Sequence, residues 1–241
     1  ENAERSLELC RRYGDRGREG DSHSVRGIIL LEVGLYDQAA EAFTEALDIL
    51  SHTASRWSRA DCMIYAGVCD VKRRRPTAKL MIDEALGEAR RLGARYLEAN
   101  ALIARAGAHL ARNELPQAIA DAAEGTAVAH AATLVGYEIQ GLARHALALS
   151  RSGRPAEANA LVQRSLQLLE YQPYIEGSEE EVLVACMEVL LAGGQHERAA
   201  IVRDRARAGA KRKAELLAEP LWRTAYAAIP EIAALLRPSL R

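Results

Sequence analysis

The stretch GLYDQAAEAFTEAL, residues 34–47, decides how this chain is read, because four other stretches match it in phase. They are RRRPTAKLMIDEAL (73–86), NELPQAIADAAEGT (113–126), GRPAEANALVQRSL (153–166) and GQHERAAIVRDRAR (194–207). Each carries alanine at its sixth position, Ala39, Ala78, Ala118, Ala158 and Ala199, in steps of 39, 40, 40 and 41 residues. A small residue returns seven places later, at Ala46, Ala85, Gly125, Ser165 and Ala206, with a bulkier one between at Phe43, Ile82 and Val162. Offsets of four and then three place these residues on one face of a helix.

A second amphipathic segment precedes each junction: SHSVRGIILLEVG (22–34), ADCMIYAGVCDVK (60–72), NALIARAGAHLAR (100–112), QGLARHALALSRS (140–152) and EVLVACMEVLLAG (181–193). Twelve residues before each junction alanine stand Gly27, Ala66, Ala106, Ala146 and Met187, four of the five small. A small residue there lets the two helices of a unit approach closely. Each unit therefore reads as a helix hairpin, with Gly34, Asn113, Gly153 and Gly194 in the turns, where a left-handed or bent backbone costs little.

Composition points the same way. Nearly half of the 241 residues are hydrophobic (49%) but only 5% are aromatic, and Ala, Leu, Arg and Glu dominate. These are helix formers, and strand formers are scarce. A net charge of −1 gives no global field toward nucleic acid or an anionic membrane. No apolar run approaches the ~20 residues that span a bilayer, and no signal-like segment opens the chain. The chain reads as soluble and cytoplasmic. Cys10, Cys62, Cys69 and Cys186 form no CxxC pair and are expected to be reduced core residues. The first residue is Glu1 and the helical pattern is already running there, so a piece of a longer chain is expected.

The five units resemble the tetratricopeptide repeat (TPR) family, with a small residue late in the first helix and the A-xxx-F-xx-A-L pattern of AAEAFTEAL (39–47) in the second. The resemblance covers about residues 15–213, and AERSLELC (3–10) looks like the second helix of a cut repeat. The family's usual period is about 34 residues, and the period here, about 40, resembles the long-period C-terminal helical arrays of bacterial signalling regulators. Those are maltose-activator-like ATPases and kinase- or cyclase-linked arrays, and the ending LWRTAYAAIPEIAALL (221–236) is similar to how such arrays close. HEAT or armadillo repeats share the period but lack the Ala-to-Ala junction. Arg203 replaces the bulky residue in the last unit, as in an atypical terminal repeat.

The resemblance implies an all-α, right-handed α-solenoid in three parts: a partial leading repeat (1–14), five hairpins (15–213) and C-terminal capping helices (214–241), with Pro220 and Pro230 in first-turn positions. It implies a non-catalytic protein-interaction or regulatory sensor module of a larger bacterial signalling or transcription regulator. The alternative is a receptor for a small-molecule or peptide effector. The partner is then a protein or peptide, another domain of the parent chain included, with a homodimer left open. Nucleic acid, membrane, metal and cofactor are not expected. Carried over by register, the concave wall presents Ser24, Ile28, Met63, Asp70, Asn100, Ile103, Gln140, Leu147, Arg151 and Glu188, together with Asp21, Leu31, Ala60, Gly67, Gly107, Leu110, Ala143, Glu181 and Val184. This wall is too apolar for a carboxylate clamp. A polar row beside it, Arg26, Tyr65, Arg105 and His145, is expected to be structural.

No other motif carries chemistry. Six histidines lack HExxH or ligand spacing, and no GxSxG, GxGxxG or P-loop occurs. SEEE (178–181) opens with a capping box, Ser178 to Glu181. YQPYIEG (171–177) is the one irregular connection, a linker or a binding loop. The basic runs KRRR (72–75) and RDRARAGAKRK (203–213) lie where helices end or run solvated, without the aromatics that nucleic-acid contact uses.

Overall fold

The computed structural model describes residues 2–172 and 175–237. Among them are thirteen α-helices and no strand. A leading helix, α1 (Asn2–Tyr13), packs on the first of five hairpins: α2 (Arg16–Glu32) with α3 (Tyr36–Ser51), α4 (Arg56–Lys72) with α5 (Ala78–Leu92), α6 (Arg95–Ala111) with α7 (Leu115–Ala131), α8 (Val135–Arg151) with α9 (Pro155–Tyr171), and α10 (Glu179–Ala192) with α11 (His196–Leu216). Two short helices follow, α12 (Pro220–Ala228) and α13 (Pro230–Leu236), each with proline at N1. The fold is an all-α solenoid.

The turns explain why the units repeat. Gly34, Arg74, Asn113, Gly153 and Gly194 all take left-handed conformations, with φ of +81°, +56°, +57°, +81° and +72°. The next residue in each case donates its N–H to the carbonyl five positions back: Leu35 to Leu30, Arg75 to Asp70, Glu114 to His109, Arg154 to Leu149 and Gln195 to Leu190, all at 2.8–2.9 Å. This is the Schellman closure, which satisfies helix-end carbonyls that would otherwise be orphaned. The second turn uses an arginine where sequence reading names no turn residue.

The junction alanines are all buried, as are the small residues seven places on. A Cβ on Gly27 would lie 2.6 Å from the Phe43 ring, so glycine is what lets α2 and α3 close over that ring. Arg203 is exposed on the outer side of α11, consistent with a terminal hairpin. The four cysteines are free and buried, and burial pushes the Cys62 and Cys69 thiols up, to about 12 and about 11.

The C-terminal helices fold back across the inside of the array. Trp222 of α12 packs against the core of the first two hairpins, and Ile229 sits against the Gly34 turn, where an added Cβ would meet it at 2.8 Å. Tyr226, Ile232 and Leu235 bury into the core of the last hairpins. The segment thus bridges the first and fifth hairpins, so the concave face is partly filled by the chain itself. No helix among the described residues is long and apolar enough to cross a membrane.

Candidate functional site

Counted from the left-handed turn residue, α6 and α8 turn positions −13, −9, −6 and −2 toward the inside. In α6 these are Asn100, Ala104, Gly107 and Ala111, and in α8 they are Gln140, Arg144, Leu147 and Arg151. Two spaces open on that surface.

The first is an inner cavity of about 80 Å³ between α2, α4, α6, α8, the 175–178 connection and the C-terminal helices. Its wall includes Glu32, Tyr65, Lys72, Asn100, Tyr137, Arg144, Glu181 and Tyr226. Lys72 lies 2.5 Å from Glu181 and 3.9 Å from Glu231, linking hairpins far apart in sequence. Burial works to raise the Glu181 carboxyl, but Lys72 and then Arg144 outweigh it and hold it low. Burial raises Glu32, which has no ion-pair partner among the described residues. Arg144 donates to the Ile103 carbonyl at 2.8 Å and meets Glu181 only at 3.9 Å. Above the cavity the hydroxyl of Tyr137 donates to Tyr96 at 3.0 Å and lies 3.5 Å from that of Tyr65, and Trp57 stacks on Tyr96.

The second space is a groove of about 830 Å³ running along the second to fifth hairpins. Val68, Ala104, Gly107, Ala108, Leu147 and Val184 make an apolar floor, and Lys72, Arg74, Arg75, Lys79, Arg112, Arg144 and Arg151 stand along it. Arg151 is paired to Glu188 and Lys79 to Asp83. Arg74, Arg75 and Arg112 are exposed with no ion-pair partner among the described residues.

Of the wall residues expected from sequence, Asn100 and Gln140 line the cavity, and Gln140, Leu147, Arg151 and Glu188 line the groove. Glu181, Gly107, Leu110, Ala143 and Val184 also reach these spaces. The others do not. Ile103 is 1% exposed, Ser24 and Met63 are buried, and Ile28 packs against the first core. Asp70 faces outward, bonding Thr77 at 2.7 Å beside Phe43 and Leu47. Two physical reasons account for Ile103, Met63 and Asp70. The inward residue of the middle turn is at −9 and not −10, so it is Ala104 that faces in and not Ile103. The second turn is also one residue shorter: its junction alanine follows the left-handed residue by four positions, whereas in the other turns it follows by five. Aligning on Ala78 therefore rotates α4 by about 100°, and Tyr65, Val68 and Lys72 are the inward residues there. Anchoring on the turn would have found them.

The polar row separates. Arg105 binds Asp121 through two 2.7 Å bonds and Asp83 through one of 2.9 Å, a structural clamp between α5 and α7, whereas Tyr65 belongs to the cavity. In the capping box, Ser178 accepts from the Glu181 N–H at 3.2 Å, but the Glu181 carboxylate turns to Lys72. Of the irregular connection, Pro173 and Tyr174 lie outside the described residues, while Glu176 and Gly177 line the cavity.

No family model and no curated protein matches the chain. Solved structures do. BtubC (BKLC) from P. vanneervenii superposes with a TM-score of 0.65 at 16% identity, over 91% of this chain and 91% of that one. Aspartyl phosphate phosphatase F from Bacillus subtilis superposes with a TM-score of 0.62 at 14% identity, over 92% of this chain and 58% of that one. The likeness is one of fold, a helical-repeat array.

Proposed function

We propose that the chain is a non-catalytic, tetratricopeptide-type interaction module of a larger cytoplasmic bacterial regulator, and that its groove takes an acidic amphipathic helix of a partner protein or parent domain. The groove carries the reading: an apolar floor of small residues beside Arg74, Arg75 and Arg112, which have no acidic partner of their own among the described residues. Small residues let a helix lie close, and a row of uncompensated cations selects acidic side chains along it. The chain's own α13 supports this, being an apolar helix whose Glu231 reaches toward Lys72 from inside the same surface. In support of a non-catalytic role, His109 and His130 are each bonded to a carboxylate, Glu114 and Glu138.

The test is fluorescence anisotropy with two designed amphipathic helices of identical apolar face, one acidic and one basic on the polar face. The acidic peptide should bind, weaken steeply as salt rises, and lose most of its affinity on Arg75→Glu with Arg112→Glu. Equal binding of both peptides, or of neither, refutes the reading.

A further inference from the structure

The inner cavity adjoins the groove and shares Lys72, Arg144 and Glu181 with it, but its own lining differs. Its wall holds two neutral polar groups with nothing to bond: the Asn100 Nδ2 and the Tyr226 hydroxyl, both buried and without a hydrogen-bond partner. Asn100 is 7% exposed and Tyr226 is 2% exposed. A buried polar group left unpaired costs about 1–3 kcal/mol, so two around one cavity mark a place where something else completes the bonding.

The charges sort in the same way. Five titratable side chains border the cavity: Lys72, Arg144, Glu32, Glu181 and Glu231. Lys72 and Glu181 are committed to each other at 2.5 Å, and Glu231 leans on Lys72 at 3.9 Å. That leaves one under-compensated cation and one under-compensated anion. Arg144 has a single short bond, to a neutral carbonyl, and Glu32 has no ion pair among the described residues. Burial drives both toward their neutral forms, lowering Arg144 and raising Glu32. A ligand carrying one negative and one positive group would answer both.

We propose that the cavity is a binding site for a small zwitterion of the free amino acid class, its carboxylate taken by Arg144 and Asn100 and its ammonium by Glu32. Size agrees. A cavity of about 80 Å³ offers about five to eight water-sized positions, the number of heavy atoms in an amino acid with a short side chain. Leu31, Val68 and Ile232 give that side chain an apolar wall. α12 and α13 form part of the wall through Tyr226, Ile229, Glu231 and Ile232. The proposal does not depend on the groove's occupant.

The experiment is calorimetric titration and thermal shift of the full chain with glycine, alanine and serine, against acetate and ethylamine as single-charge controls. At least one amino acid should bind and raise Tm, with both controls weaker by ten-fold or more. Glu32→Gln should reduce amino acid affinity by ten-fold or more while leaving the weak acetate binding unchanged, and Asn100→Ala should reduce both. Absence of any Tm shift or heat with all three amino acids, as expected of a cavity that holds water only, overturns the proposal. So does binding of acetate or ethylamine as tight as that of the amino acids. If Asn100→Ala fails to fold, Glu32→Gln decides alone, and an unchanged affinity in that variant refutes it.

Discussion

Replacing Gly27 by alanine should destabilise the protein, although alanine is the better helix former. In an exposed helix interior the change would gain about 1 kcal/mol. Here the new Cβ would sit 2.6, 2.7 and 2.9 Å from three carbons of the Phe43 ring. That ring is 1% exposed and has no room to retreat. Overpacking of this kind costs about 1–3 kcal/mol, so the net loss should be about 1 kcal/mol. Phe43→Leu shortens the opposing side chain and should itself cost about 1 kcal/mol. In that background Gly27→Ala should turn stabilising, by about 0.5–1 kcal/mol, so the two changes couple by about 2 kcal/mol. Gly87→Ala is the internal control: its Cβ would meet only the end of Arg91 at 3.9 Å, and the helix-propensity gain should appear there uncorrected. Urea unfolding followed by far-UV circular dichroism on the four members of the cycle and on Gly87→Ala measures all of this. A higher midpoint for Gly27→Ala in the native background, or simple additivity with Phe43→Leu, would refute the packing argument.

Asp61 should make stability fall with rising pH. Burial, then Glu176 and Asp21, push its carboxyl up from 3.8 to about 7, so the folded chain holds a proton that the unfolded chain releases. The contribution is complete below about pH 4 and lost as pH rises through 7; Asp61→Asn should raise Tm at pH 8 and barely change it at pH 4, and an equal gain at both would refute it. Trp222→Ala should loosen the C-terminal bridge, seen as faster amide exchange at Leu35 and through α13 with the α6–α7 hairpin unchanged. Uniformly faster exchange would show that the bridge is not a local unit. Arg74→Gly should stabilise by about 0.5–1 kcal/mol, because a left-handed residue with a side chain carries that strain and glycine does not. A loss of stability would mean that the arginine side chain contributes more than the strain costs.

The hairpins are legible in the sequence because their determinants are local. A buried alanine, a bulky residue four places on and a small one three further are fixed by the geometry of a single helix crossing. The inward face is legible only as far as the anchor is right. Asn100, Gln140, Leu147, Arg151 and Glu188 line the cavity or the groove, because turns of equal length separate them from their junction alanines. Met63 and Asp70 do not, because the second turn is one residue short. The inner cavity is not legible at all. Lys72 and Glu181 are 109 residues apart, and Tyr226 and Glu231 arrive from helices that fold back over the first hairpin. Those contacts follow from how far the array curls, a sum of many small crossing angles that no single repeat encodes.

The shortened second turn also bears on function. Its left-handed position is held by Arg74 at φ +56°, where three of the other four hairpins use glycine and the remaining one, α6–α7, uses asparagine, a side chain tolerant of that region. Strain that persists in one repeat of a regular array has to be outweighed by something that repeat supplies. What it supplies is position: Arg74 and Arg75 leave the end of α4 at the edge of the groove, next to Lys72, and together with Arg112 make its uncompensated basic side. If the proposed reading of the groove is right, Arg74→Gly must therefore separate two properties, gaining stability while losing affinity for the acidic helix. A residue kept for packing alone would lose both together.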